Sequence, residues 1–290
     1  VAAAPQRPPQ LERAAVVSGA VRSASGADGE PGAPGAPLLA MRGVQVALRS
    51  APILRGVNLQ LARGEVLLLA GRNGAGKTTL LRTAAGLLAP EAGDLRLCGE
   101  SLPSLPRREI ARRVAYVPQQ AAFAFPWSLL EVALMGRTPH LGRFGFETPR
   151  DLALARESLA RLGIADLAGR SILEVSGGER QLAAIARALA QQAPLLLLDE
   201  PGAHLDLAHR HALHQLLRQL TAEGRSVLWV THDLGPALSC ADRVALLAEG
   251  RVLAAGAPAE VLRPDLLRAA FGVDARLIHS EAGLLLQLPR

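Results

Sequence analysis

Gly71-Arg72-Asn73-Gly74-Ala75-Gly76-Lys77-Thr78 sets three glycines ahead of Lys77, the single lysine of the chain. That spacing suits the grip of a phosphate chain. Glycines let successive backbone N–H groups converge on phosphate oxygens. A helix that begins after Gly76 adds its positive end. Lys77 then reaches the β and γ phosphates, and Thr78, followed by Thr79, offers a hydroxyl to Mg²⁺. A second set lies far along the chain in Leu195-Leu196-Leu197-Leu198-Asp199-Glu200. Acids at the carboxyl end of a buried strand stand where such sheets bind ligands. Asp199 is placed to hold the metal, directly or through water, and Glu200 to polarise an attacking water as general base. The chemistry is hydrolysis of a nucleoside triphosphate.

These residues need a particular scaffold. Val66 to Ala70 is short, apolar and bounded by turns, as is Leu195 to Leu198, and both suit central parallel strands covered on two faces. Val227 to Val230 is a third such run, ending at Thr231-His232. Helical periodicity is expected over Thr79 to Leu88, Leu129 to Met135, Asp151 to Leu162, Glu179 to Ala193 and Leu207 to Leu220. Ahead of the first central strand, Val44, Val46 and Leu48 alternate with Gln45, Ala47 and Arg49 as in a half-buried edge strand, and Ile53 to Leu61 suggests its neighbour. Val244 to Leu247 and Arg251 to Leu253 flank Glu249-Gly250 as a hairpin. Strand, crossover helix and strand in alternation make an α/β core with a helical insertion at about 120–190.

At 290 residues, 49% hydrophobic, the chain can bury a sizeable core. No apolar run approaches the roughly 18 residues that cross a bilayer. Cys98 and Cys240 stand far apart with no ligand partners in pattern, so they read as small apolar residues, and a cytosolic setting fits. Residues 1–37 are rich in Pro, Gly and Ala and read as an unstructured leader without the apolar core of a signal peptide. The net charge of +6 rests on arginine. With few aromatics and no recognition motif it points to lipid headgroups or arginine bias, and no nucleic-acid partner is expected. His204, His209, His211 and His214 lack a completing carboxylate or cysteine and are not expected to form a metal site.

Further motifs fall in a fixed order. Gln119 follows Tyr116-Val117-Pro118, then come Val175-Ser176-Gly177-Gly178-Glu179, Pro201 to Asp206 after Glu200, and His232. Over residues 38 to 258 the chain resembles the nucleotide-binding ATPase domains of ATP-binding cassette proteins. The resemblance implies a P-loop NTPase core with a mostly parallel sheet, an N-terminal antiparallel β subdomain and an inserted helical subdomain, with residues 259–290 as an extension packed on the core. It implies ATP and Mg²⁺, with Gln119 near the metal beside Thr78 and Asp199, and His232 at the γ phosphate. It makes Ser176, Gly177 and Gly178 a signature nest that completes the site of an opposite subunit. With one set of motifs, the chain is expected to pair head to tail with a second copy of itself.

The departures from the family pattern are Val175 for Leu, Glu179 for Gln, and Gly202-Ala203-His204 where Thr-Ser-x is common. Glu179 has Arg180 next to it as a partner, and Ala203 removes a hydroxyl from the path between two sites. The adenine-stacking aromatic falls at Leu48, leaving apolar contact there, with Arg49 as a substitute for stacking. Looser base selectivity is expected.

Phe125-Pro126-Trp127-Ser128, the run Glu131 to His140, Asp206-Leu207-Ala208-His209 and Phe271-Gly272-Val273-Asp274 are similar to the importer ATPases for iron-siderophore complexes, haem and vitamin B12. That likeness implies two transmembrane permease subunits docking near Gln119–His140, indirectly a substrate-binding protein, and a peripheral place on the cytoplasmic face of the inner (plasma) membrane. Phe123, Phe125, Trp127 and Leu129 offer apolar contacts for docking or fill the helical subdomain's own core. Arg137, His140 and Arg143 serve the same face or are solvated charge. Alternatives are a soluble ATPase or ATP-dependent regulator not coupled to import, and a module that senses ATP without turnover, against which Glu200 and His232 argue.

Overall fold

The computed structural model describes residues 36–142, 145–231, 234–280 and 283–287. The leader expected over 1–37 lies outside these but for its last two residues, and His232 and Arg143 lie outside them as well. In chain order the elements are β1 (Leu39–Leu48), β2 (Ala51–Leu61), β3 (Val66–Ala70), α1 (Lys77–Ala84), β4 (Ala92–Leu97), β5 (Glu100–Ser101), α2 (Arg107–Arg113), β6 (Val114–Val117), α3 (Leu129–Leu134), α4 (Pro149–Arg161), α5 (Gly177–Ala190), β7 (Leu195–Asp199), α6 (Leu207–Ala222), β8 (Ser226–Val230), α7 (Leu234–Leu238), β9 (Arg243–Ala248), β10 (Arg251–Gly256), α8 (Pro258–Val261), α9 (Pro264–Phe271), β11 (Arg276–Ser280) and β12 (Gly283–Gln287).

The apolar runs form the middle of a six-stranded sheet in the order β10-β9-β3-β8-β7-β6. β9, β3, β8, β7 and β6 are mutually parallel, and β10 closes the edge antiparallel to β9. Strand alternation divides the core. Leu67, Leu69, Leu195, Leu197, Leu228 and Val230 face α1 and the antiparallel sheet. Val66, Leu68, Leu196, Leu198, Val227 and Trp229 face the helical side, where α3, α4 and α5 pack on one another and α6, α8 and α9 lie against the sheet. Every residue of β3, β7 and β8 is buried, as strands covered on both faces must be.

The antiparallel sheet runs β2-β1-β4-β5. Here the reading of Val44 to Leu48 as an edge strand is corrected, because β4 pairs with the other side of β1 and leaves β2 at the edge. β4 escapes a periodicity search because its first half, Ala92-Gly93-Asp94, has no apolar alternation. The first helix spans Lys77–Ala84, not Thr79 to Leu88, and Gly86 at φ 69° turns the chain out of it. Beyond the range of the sequence-based strands, β11 and β12 pair as an antiparallel hairpin.

The helical layer is set by its caps. Ser128, Thr148 and Ser176 each precede an acid by three residues, and each forms a reciprocal capping box with Glu131, Asp151 and Glu179. Asp151 has a second task. Its other oxygen accepts from Arg137 Nε at 2.8 Å, and Arg137 Nη1 donates to the carbonyl of Ala190 at the end of α5 at 2.7 Å. One buried ion pair thereby ties the start of α4 to the end of α5. Arg137 is 6% exposed, so it belongs to this core and not to a docking face. Its hydrogen bond, with those of Thr148, lowers the Asp151 carboxyl to about 2.

Candidate functional site

A cavity of about 610 Å³ opens where β3 and β7 end. Its walls are Ile53, Asn73, Gly74, Gly76, Lys77, Thr78, Thr79, Gln119, Asp199 and Glu200. The loop after β3 takes this path because of two glycines. A β-carbon on Gly71 would lie 2.1 Å from the carbonyl oxygen of Leu247 on β9, so only glycine lets the chain leave β3 there. Gly76 caps α1 at φ 104°, a left-handed geometry that costs glycine little. No side chain caps α1. The first N–H groups of a helix have no partner within it, and here they border the cavity.

Lys77 opens α1 and is 7% exposed. Its Nζ donates to the carbonyls of Gly71 at 2.8 Å and Arg72 at 3.0 Å. Burial lowers its pKa, opposed by the negative charges of Glu200 and Asp199. Asp199 ends β7 and is 2% exposed. Burial raises its pKa most, and the nearby charge of Glu200 raises it further. The hydroxyls of Thr78 and Tyr116 act the other way by hydrogen bonding to it. Glu200 leaves the strand at φ 50°, and its N–H donates to the carbonyl of Val230 on β8 at 2.9 Å. That turn puts its carboxylate at the cavity, where Oε2 accepts from Gln119 Nε2 at 2.9 Å.

The structure therefore brings together Asn73, Gly74, Gly76, Lys77, Thr78, Thr79, Gln119, Asp199 and Glu200. Gly71 and Arg72 act behind the wall through the carbonyls that hold Lys77, and Ala75 is buried beneath the loop. Leu48 is not in the wall. It ends β1 at 40% exposure, and Ile53 on β2 supplies the apolar surface instead. Tyr116, on β6, contacts Asp199, whereas in the sequence it only leads into Gln119. Neither Ile53 nor Tyr116 carries a sequence signal of its own, because each acts through position in a strand. The donors at the cavity fit Mg²⁺. Thr78, Asp199 and Gln119 offer only oxygen ligands, as hard cations require, and a buried carboxylate gains from a neutralising cation.

Ser176, Gly177 and Gly178 stand outside this cavity, at the start of α5. Ser176 Oγ accepts from the Glu179 N–H at 3.2 Å, and the Glu179 carboxylate accepts from the Ser176 N–H at 2.7 Å. Glu179 is thus engaged with its own helix start, while Arg180 donates to the carbonyl of Val175 at 3.1 Å. The Ser176 N–H and the Ser176 hydroxyl, both hydrogen bonded to the Glu179 carboxylate, hold that carboxyl below its ordinary pKa.

The apolar residues after Gln119 divide. Phe125 and Trp127 are exposed and meet edge to face, with ring centroids 6.2 Å apart. Leu129 is wholly buried, and Phe123 is half-buried with the Arg187 guanidinium 5.9 Å above its ring. His140 Nε2 lies 2.9 Å from the carbonyl of Gln191. Three of the four central histidines turn to separate neighbours: His209 to Asp206 at 2.9 Å, His211 to Gln215 at 2.9 Å, and His214 to the ring of Trp229 at 5.2 Å.

The ABC transporter family model matches residues 54–203, which hold the loop, Gln119, the signature turn and the Asp199-Glu200 pair. The hemin import ATP-binding protein of Gloeobacter violaceus is 42% identical over 260 residues, covering 87% of this chain and 94% of that protein. The cobalamin import ATP-binding protein of Halobacterium salinarum strain R1 is 43% identical over 240 residues. That alignment covers 82% of this chain but spans only 59% of the longer relative. Among solved structures, an inward-facing metal-chelate type ABC transporter superposes with a TM-score of 0.74 at 27% identity, over 88% of this chain and 97% of the matched one.

Proposed function

The chain belongs to the ABC transporter family as an ATPase subunit, and from that premise we propose that it drives import of a metal chelate of the siderophore, haem or vitamin B12 kind. One observation carries the enzymatic half. Gln119, Asp199 and Glu200, distant in sequence, meet Lys77 and Thr78 around one cavity at the strand ends. The relatives named above support the transported class. Two transmembrane permease subunits dock near Gln119–His140, where Phe125 and Trp127 give exposed apolar surface. A substrate-binding protein feeds them from outside. No helix among the described residues is long and apolar enough to cross a membrane. The chain then sits as a peripheral subunit on the cytoplasmic face. Residues 38–258 form the ATPase unit and 259–290 an extension.

In the mechanism, the open N–H groups of α1 and the loop receive the phosphates of ATP. Lys77 leaves the carbonyls of Gly71 and Arg72 for the β and γ phosphates. Thr78, Asp199 and Gln119 would hold Mg²⁺, which offsets phosphate charge when bound. Gln119 keeps Glu200 turned into the cavity, and Glu200 takes the proton of the water that attacks in line. The motif order assigns His232 a contact with the γ phosphate. Ser176, Gly177 and Gly178 of a second copy, set head to tail, close the site from the other side.

The test is capture of the tagged chain from its native membranes, with ATPase assayed on the recovered complex. The expected result is a multispanning permease, a binding protein and a bound chelate, with turnover that depends on the complex. Recovery of the chain alone, with the same turnover as the purified subunit, sinks the importer reading and leaves a soluble ATPase.

A further inference from the structure

Asp199 is almost completely buried, and a buried carboxylate keeps one orientation only if its oxygens find donors. Two side chains supply them. One is the hydroxyl of Thr78, which would also face the cation. The other is Tyr116, whose hydroxyl lies 3.4 Å from Asp199 Oδ2. β6 and β7 are adjacent parallel strands, with Tyr116 in register with Leu197, so the phenol reaches across to the end of its neighbour. The same hydroxyl is hydrogen bonded by Arg82. Arg82 stands one turn beyond Thr78 on α1. Arg82, Tyr116, Asp199 and Thr78 thus close a ring of contacts that fixes the metal carboxylate against the helix of the phosphate loop. Tyr116 also walls a second cavity of about 300 Å³ with Leu87, Arg107 and Ile110.

We propose that Tyr116 is a positioning residue for the divalent cation: its hydroxyl holds the Asp199 carboxylate in the orientation that binds metal. The proposal rests on the ATPase reading of the site. Thr78 can face the cation through a lone pair and still donate its proton to Asp199, whereas Tyr116 stands outside the cavity wall and serves Asp199 alone of the residues named for the cation. A long hydrogen bond to a charged acceptor is worth a modest factor in cation affinity.

The experiment uses Mn²⁺ as the probe, titrated by electron paramagnetic resonance into the full chain with a non-hydrolysable ATP analogue, and analogue binding measured separately in EDTA. Tyr116→Phe, which keeps the ring, is expected to weaken Mn²⁺ binding about three- to tenfold while analogue binding in EDTA stays within about twofold. In an Asp199→Asn background the same change is expected to have no further effect, because Tyr116 acts through Asp199. Unchanged Mn²⁺ affinity in Tyr116→Phe overturns the proposal, and so does an equal, additive loss in the double variant. A parent chain that binds no Mn²⁺ with the analogue overturns the ATPase reading itself, and this proposal with it.

Discussion

The phosphate loop and the signature turn are both clusters of backbone amides at the start of a helix, yet they are finished to opposite degrees. α1 has no side-chain cap, and its open N–H groups border a cavity that also holds a buried ammonium and a buried carboxylate. α5 is closed by a reciprocal box between Ser176 and Glu179, and it lines no part of that cavity. A helix start whose donors are left open inside a charged pocket is prepared for an anion. One already capped by its own side chains needs nothing more to be a helix. Gly178 nonetheless leaves no room for a side chain, since a β-carbon there would lie 2.9 Å from the carbonyl oxygen of His204. The signature turn is thus held tightly against the loop after Glu200 and lies outside the wall of its own chain's cavity. In the head-to-tail pairing proposed above, the first half is complete in one chain and the second would work across an interface.

The sharpest way to break this contrast is to disable each half in a different copy. Lys77→Ala removes the phosphate half, and Ser176→Arg obstructs the signature half. Each variant alone is expected to lose turnover by about a thousandfold, the scale on which a charge-stabilising or acid–base group acts. Mixed together they are expected to regain a substantial fraction, because the mixed pair contains one site with an intact loop and an intact signature. Steady-state phosphate release across mixing ratios reads this. No recovery at any ratio means the signature serves its own chain. Glu200→Gln should lose turnover about as severely yet still associate with ATP, checked by light scattering; loss of association would move Glu200 from chemistry to binding.

A smaller effect separates the phosphate end from the helical layer. Asp151 is folded around Arg137 and Thr148 with its carboxyl lowered to about 2. It binds a proton less readily folded than unfolded. Its contribution is therefore whole above the unfolded carboxyl range near 4 and is lost as pH falls through about 2. The size is about 2 kcal/mol. Urea melts between pH 5 and pH 2 should show Asp151→Asn with a flatter dependence than the parent. An unchanged slope would mean that the ion pair joining α4 to α5 adds nothing to stability. Arg137→Ala, which strands the carboxylate, should cost about 3–5 kcal/mol at neutral pH.

The phosphate half was readable in advance because its residues are consecutive and rare in type. The one lysine of the chain follows glycines that the backbone requires, and Asp199 ends a run too apolar to be anything but a buried strand. What the sequence hides is who faces whom. Arg137 looked like surface charge, and only the fold places Asp151 and the end of α5 beside it. Leu129 and Phe125 have the same apolar character and lie close in sequence, yet one is wholly buried and the other largely exposed. Glu179 beside Arg180 suggested a neighbour pair, but the geometry of a helix start sends its carboxylate back to the Ser176 amide. Tyr116 carries no motif of its own, because its role arises from the register of two strands.

The smallest expected effect concerns the apolar side of the cavity, at Ile53. Phosphates bind the same way whatever base follows them, so base choice depends on the β1–β2 side alone. There the chain offers Ile53 in the wall and Leu48 at the strand end, both aliphatic. The turn between the strands carries Arg49 at φ 50° and Ser50 at φ 67°. Aliphatic contact excludes water but reads no hydrogen-bonding edge, and a pocket of that kind discriminates weakly between bases of similar shape. The kcat/KM for GTP is accordingly expected within about tenfold of that for ATP, a difference of at most ~1.4 kcal/mol. Leu48→Tyr supplies a ring for stacking and should strengthen ATP binding by about 0.5–1.5 kcal/mol. If GTP is instead rejected a hundredfold, a polar group must read the adenine edge. The signature side would then contribute base contacts from the second copy, and the division of labour between the two halves would have to be redrawn.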